Sequence, residues 1–158
     1  MPEMDQNAHL LPRWEELPDL ELYMDQVLLL AERFLAPFAD PDSKGLTASM
    51  VNNYVKLGVL PPPVKKKYSR AHVARLLMIC LLKSVLPIAA VQRLIEAGVA
   101  ADSERGFYNA FCAGFEQSMA AAVPEESAAA AERILRAALR SWAEQGLSLR
   151  LLAGLEPR

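Results

Sequence analysis

The chain has 158 residues, 53% of them apolar, and a formal net charge of −2. That length suits one domain, or a small domain with an appended helical unit, and the apolar share is enough for a closed core. The two cysteines, Cys80 and Cys112, are far apart and have no CxxC or Cys/His ligand spacing, which excludes a disulfide framework and suits an intracellular protein with reduced thiols.

The first 25 residues are acidic and interrupted by Pro2, Pro12 and Pro18, so no signal peptide is expected there. The longest apolar run, Leu76 to Leu82, covers 7 residues and is too short to span a bilayer. Charge is strongly segregated. Residues 1–42 carry 2 basic and 10 acidic side chains, residues 43–95 carry 9 basic and no acidic ones, and residues 96–158 carry 6 basic and 9 acidic ones. A central block without a carboxylate is the pattern a polyanion site requires, and it sets the expectation of a nucleic-acid partner.

Taken in order, residues 1–18 read as an irregular arm anchored by Trp14 and Leu17. From Asp19, which can act as an N-cap after Pro18, Leu22, Gln26, Val27, Leu30 and Phe34 recur at helical steps, and Pro37 ends the helix. A turn-rich connector (39–45) leads to Thr47, the expected N-cap of a second helix over 48–57 that is stopped by Gly58. At roughly 100° per residue, Ser49, Asn52, Asn53 and Lys56 share one side of this helix, and Met50, Val51, Tyr54, Val55 and Leu57 share the other. Asn can bond adenine bidentately in a major groove, Ser can donate or accept, and Lys can reach guanine or phosphate. Pro61-Pro62-Pro63 then forces an extended path into Val64-Lys65-Lys66-Lys67-Tyr68, read as one edge of a small β wing. Lys65, Lys66 and Lys67 would grip the DNA backbone, with Arg70 and Arg75 as helpers.

Ser69 caps the next helix, from Arg70 to about Lys83, whose apolar run marks it as the buried centre. Cys80 reads as a core residue and His72 as a surface or wing-supporting residue. Pro87 opens a helix expected to end at Gly98, and Asp102 or Ser103 caps the next. Phe107, Phe111 and Phe115 step by four, a core stripe whose alternative use is an effector pocket. A last helix is expected from Pro124 to Gly146, with Ile134, Leu135, Ala138 and Trp142 forming a seam for either a second subunit or the Phe helix. No nucleophile–base pair, glycine-rich phosphate loop or metal-ligand spacing is present, so neither enzymatic activity nor a cofactor or metal is expected.

At residues 46–95 the sequence resembles the DNA-binding unit of the MerR family of bacterial regulators. The run Asn52-Asn53-Tyr54-Val55-Lys56-Leu57-Gly58-Val59-Leu60-Pro61-Pro62 matches the family's recognition helix and its exit. Lys65-Lys66-Lys67-Tyr68-Ser69 matches the end of its wing, where Lys66 takes the place of a phosphate-holding arginine. Asn52 stands where that family usually has arginine, and Asn53 where it has the first of two tyrosines. The wider layout is similar to an uncharacterised bacterial family, a domain of unknown function with a MerR-like fold. That likeness rests on Trp14, Leu17-Pro18-Asp19, Leu22 to Val27, Leu46 to Lys56 and Lys66 to Ser69, and it covers residues 14–115.

These readings give an all-α, MerR-like winged helix-turn-helix with a small β wing and C-terminal helices. The arm is 1–18, the DNA-binding domain 19–98 and the helical extension 99–158. The expected role is a cytoplasmic, homodimeric transcriptional regulator on double-stranded DNA, with no membrane association. The alternative is a helical interaction module that offers its basic face to an acidic protein, or to its own residues 1–42.

Overall fold

The apolar run that the sequence places at the centre forms most of a helix with almost no solvated side. The computed structural model describes residues 9–122 and 129–155. Its helices in chain order are α1 (Met24–Leu35), α2 (Ala48–Lys56), α3 (Arg70–Leu82), α4 (Ile88–Ala101), α5 (Glu104–Ala121) and α6 (Ala130–Ala153). In α3, Val73, Ala74, Leu76, Leu77, Met78 and Ile79 are all buried, and α1, α4 and α5 pack around it. Val27 and Ala31 from α1, Val91 and Ile95 from α4, and Tyr108 and Cys112 from α5 complete the core. Burial drives this arrangement, because a helix apolar on every side has no stable solvated orientation.

Several helix boundaries depart from the sequence expectation, and each departure has a physical cause. The first helix begins at Met24, not near Asp19. Leu22 is instead held extended by a backbone bridge to Tyr68, with N–H···O distances of 2.8 and 2.7 Å. The Gln26 side chain takes over the capping role by accepting the Tyr23 N–H at 2.9 Å. Helix α4 continues past Gly98 to Ala101. A Cβ at Gly98 would lie 2.1 Å from Cε2 of Phe107, so the glycine serves close packing of α4 on α5 and does not terminate the helix. The domain boundary drawn at 98 therefore falls inside α4.

The expected β wing is reduced to a turn, and among the described residues there is no β-strand. Val64 and Lys67 exchange hydrogen bonds of 3.1 and 3.0 Å around Lys65 and Lys66. The three preceding prolines have no N–H to donate, so a ladder cannot extend back from Val64.

The N-terminal arm is tied down firmly. Leu11 and Leu17 are buried, and Trp14 lies half-buried with its ring 6.5 Å from that of Tyr108. The Tyr108 hydroxyl donates to Pro12 O at 2.6 Å, and the Trp14 N–H donates to Asn109 at 2.9 Å. Arg13 donates to both oxygens of Glu116 at 2.6 and 3.1 Å.

Helix α6 is attached differently. Arg93 donates to Leu152 O at 2.8 Å and Gln145 to Val85 O at 2.6 Å, and Leu152 is its one buried residue among those described. The helix runs past Gly146 to Ala153, since one interior glycine costs only about 1 kcal/mol in a leucine-rich stretch. The expected start at Pro124 lies outside the described residues. The seam faces solvent, with Ile134 71%, Leu135 57% and Trp142 76% exposed.

Two outcomes follow for stability. Gly98→Ala should destabilise the fold by about 1–3 kcal/mol through overpacking against Phe107, and Phe107→Leu should relieve part of the loss in a double-mutant cycle read by urea denaturation. The Arg13 guanidinium lowers Glu116 from its ordinary 4.5 to about 2. The contribution of this depressed carboxylate is complete above about pH 4.5 and is lost as pH falls from there toward 2. Glu116→Gln should therefore cost about 1 kcal/mol at pH 7, reduced by partial solvent screening, and should make denaturation midpoints less dependent on pH between 4.5 and 2.

Candidate nucleic-acid interface

Helix α2 is short, and both of its ends are secured. Thr47 Oγ1 accepts the Met50 N–H at 3.2 Å, which satisfies one free amide of the first turn. At the other end Gly58 takes φ +79°, and the N–H groups of Val59 and Leu60 both donate to Tyr54 O, at 3.0 and 3.2 Å. Val51 and Tyr54 bury the back of the helix, and Lys83 Nζ donates to the Tyr54 hydroxyl at 3.2 Å. Ser49, Asn52, Asn53 and Lys56 are all exposed on the front, and none of their side chains hydrogen-bonds within the described residues. The stripe predicted from helical spacing is therefore present and unengaged.

The segment after α2 is fixed by His72, which is 7% exposed. Its Nδ1 accepts the Ser69 N–H at 3.0 Å, so the ring hydrogen belongs on Nε2, which donates to Pro61 O at 3.0 Å and Pro62 O at 3.3 Å. This ring clamps the proline run to the N-terminus of α3 from a buried position, not from the surface. The ring of Tyr68 meets His72 edge-on at 5.4 Å. Lys65 and Lys66 occupy the turn with φ of 52° and 64° and are exposed.

The other cations are drawn into local pairs. Lys67 lies 3.9 Å from Glu21 and 5.7 Å from the Tyr23 ring centroid. Arg70 lies 3.7 Å from Asp19 and covers the Trp14 ring, and its buried Nε has no hydrogen-bond partner among the described residues. Arg75 donates to both oxygens of Glu104, and its side chain is only 14% exposed. Arg75 is thereby committed to joining α3 and α5 and does not share the exposed surface of Lys65 and Lys66. The block without acidic residues in sequence thus meets Asp19, Glu21 and Glu104 in space. Sequence reasoning missed these pairings because the three carboxylates come from outside the block. It also missed Lys83, whose contact with Tyr54 depends on how α3 lies across α2.

Burial pushes the Cys80 thiol up to about 11 and also raises that of Cys112. Among the described residues no group of three or more His, Cys, Asp or Glu side chains could hold a metal ion, and no helix is long and apolar enough to cross a membrane. The phenylalanine stripe packs against the core, with Phe38 edge-on to Phe115 at 4.9 Å and Phe111 stacked on Phe115 at 6.3 Å.

No curated protein and no solved structure matches the chain. Residues 12–111 match the family described as Domain of unknown function (DUF1836), a span that contains residues 12–18 of the arm, the His72 clamp, all of α1 to α4 and the first part of α5. The chain belongs to the DUF1836 family.

Proposed function

We propose that the protein is a DNA-binding transcriptional regulator that uses α2 and the following turn as a MerR-like winged helix-turn-helix. In this reading α2 enters the major groove with Ser49, Asn52, Asn53 and Lys56 toward base edges and nearby phosphates, while Lys65 and Lys66 hold the backbone from the turn. The observation that carries the proposal is the unengaged polar front of α2 on a helix whose back and both ends are fixed. Such preorganisation leaves little ordering cost on binding. Lys67 and Arg70 reach phosphate only by leaving Glu21 and Asp19. This role places the protein in the cytoplasm with its DNA.

A second reading has one specific observation in its favour. Asp19 and Glu21 already touch cations beside the turn, so an acidic protein segment could occupy the same face. Salt-titrated binding to duplex DNA separates the two readings.

The proposed partner of α6 is a second copy of the chain, which would present two reading helices to a palindromic site. Leu135 (57% exposed), Leu139 (57%) and Trp142 (76%) recur at helical spacing and form a contiguous apolar face on α6 that the rest of the chain leaves uncovered. Ala138 and Gly146, one turn to either side of Trp142, leave room for a partner's ring.

Fluorescence polarisation with duplex DNA provides the test. Lys66→Ala should weaken all duplexes alike and reduce the slope of log K against log salt by about 0.9. Asn53→Ala should instead relax preference at one base step, at a cost of about 1–3 kcal/mol. Absence of salt-dependent binding at about 50 mM salt would overturn the proposal. For the assembly, sedimentation equilibrium should give a dimer that Trp142→Glu converts to monomer; a monomeric parent protein at micromolar concentration would refute it.

A further inference from the structure

We infer that the cleft between α6 and the α3–α4 corner is a binding site for an amphipathic amine, an apolar molecule carrying one cationic head. The cavity there has a volume of about 500 Å³, within the usual range of small-molecule sites. Its apolar wall comes from Leu82 at the end of α3, Leu86 in the following turn, Leu94 on α4, and Leu151 and Leu152 on α6. The protein's own side chains leave this space unfilled, because α6 buries only Leu152 among its described residues.

The polar groups of the lining all come from α6: Ser141, Glu144, Gln145 and Ser148. Two are already engaged, since Gln145 donates to Val85 O at 2.6 Å and the Ser148 hydroxyl donates to Glu144 O at 2.9 Å. Glu144 is the one charged side chain on the lining, and its carboxylate has no ion pair within the described residues. The cavity therefore combines an aliphatic interior with one uncompensated negative charge. A hydrocarbon tail with an ammonium head satisfies both, whereas a fatty-acid carboxylate would meet a like charge, and the neighbouring Arg93 guanidinium already donates to the carbonyls of Leu152 and Leu155.

The site lies directly behind the brace of α2. Leu82 of the lining precedes Lys83, which donates to Tyr54, and α4 also supplies Gln92, which donates to Gly58 O at 3.4 Å. Occupancy is nonetheless a property of the cavity, and it can be measured without DNA.

Calorimetric titration of the full chain with n-octylamine, n-octanol and n-octanoate at neutral pH tests the assignment. These probes share one tail and differ in the charge of the head. Saturable binding at one site is expected, with the amine about fivefold tighter than the alcohol and the carboxylate weakest. Glu144→Gln should bring the amine to the affinity of the alcohol, and Leu94→Trp should fill the cavity and remove binding of both. Lack of saturable amine binding, equal affinity for amine and carboxylate, or an amine preference that survives Glu144→Gln would each overturn the inference. Should circular dichroism show Leu94→Trp unfolded, the Glu144→Gln comparison decides alone. Failure of DNA binding would leave this result untouched, and failure here would leave the reading of α2 intact.

Discussion

A helix that is apolar around nearly its whole circumference must be enclosed, and α3 imposes that requirement on the molecule. Its burial recruits α1, α4 and α5, and the same helix organises the surface through its two ends. At its N-terminus, Ser69 and His72 secure the proline run; just beyond its C-terminus, Lys83 secures Tyr54 on the back of α2. The exposed segment from α2 through the lysine turn is thus attached at two points to one rigid element. Core and candidate interface depend on each other through these contacts, so packing defects in α3 would be expected to reach the polar face.

Much of this was legible in the sequence because it depends on local signals. The caps at Thr47 and Ser69, the stop at Gly58 and the polar stripe of α2 are set by residues within a few positions of one another, and all appear where spacing placed them. The misplaced features depend on long-range contacts. The start of α1 is determined by Tyr68, 46 positions away from Leu22 along the chain. Gly98 resembles a helix terminator in isolation, and only Phe107 on the neighbouring helix reveals its packing role. Arg75 looks like one more cation in a basic block until Glu104 arrives from α5. Charge counted along the chain overstated the free positive surface for the same reason.

Attachment to the core divides the chain unevenly. The arm before α1 is secured by buried leucines, a buried tyrosine hydroxyl and an arginine–carboxylate pair, although it contains little regular structure. Helix α6 is the longest element described, yet it rests on α4 through few buried groups and leaves a cleft beneath it. Regular secondary structure and firm attachment are therefore separate properties here. The first follows from local sequence, and the second from which side chains reach the core.

The turn at Lys65 and Lys66 sets geometry against charge. Both residues adopt left-handed backbone conformations that suit glycine or asparagine, at a cost of about 1–2 kcal/mol each for residues with an ordinary Cβ. An Asn-Gly pair would relax the same backbone and delete two of the exposed positive charges. The natural sequence keeps the lysines, so this turn is a point of local frustration. Such a site marks where chain stability and surface chemistry favour different residues.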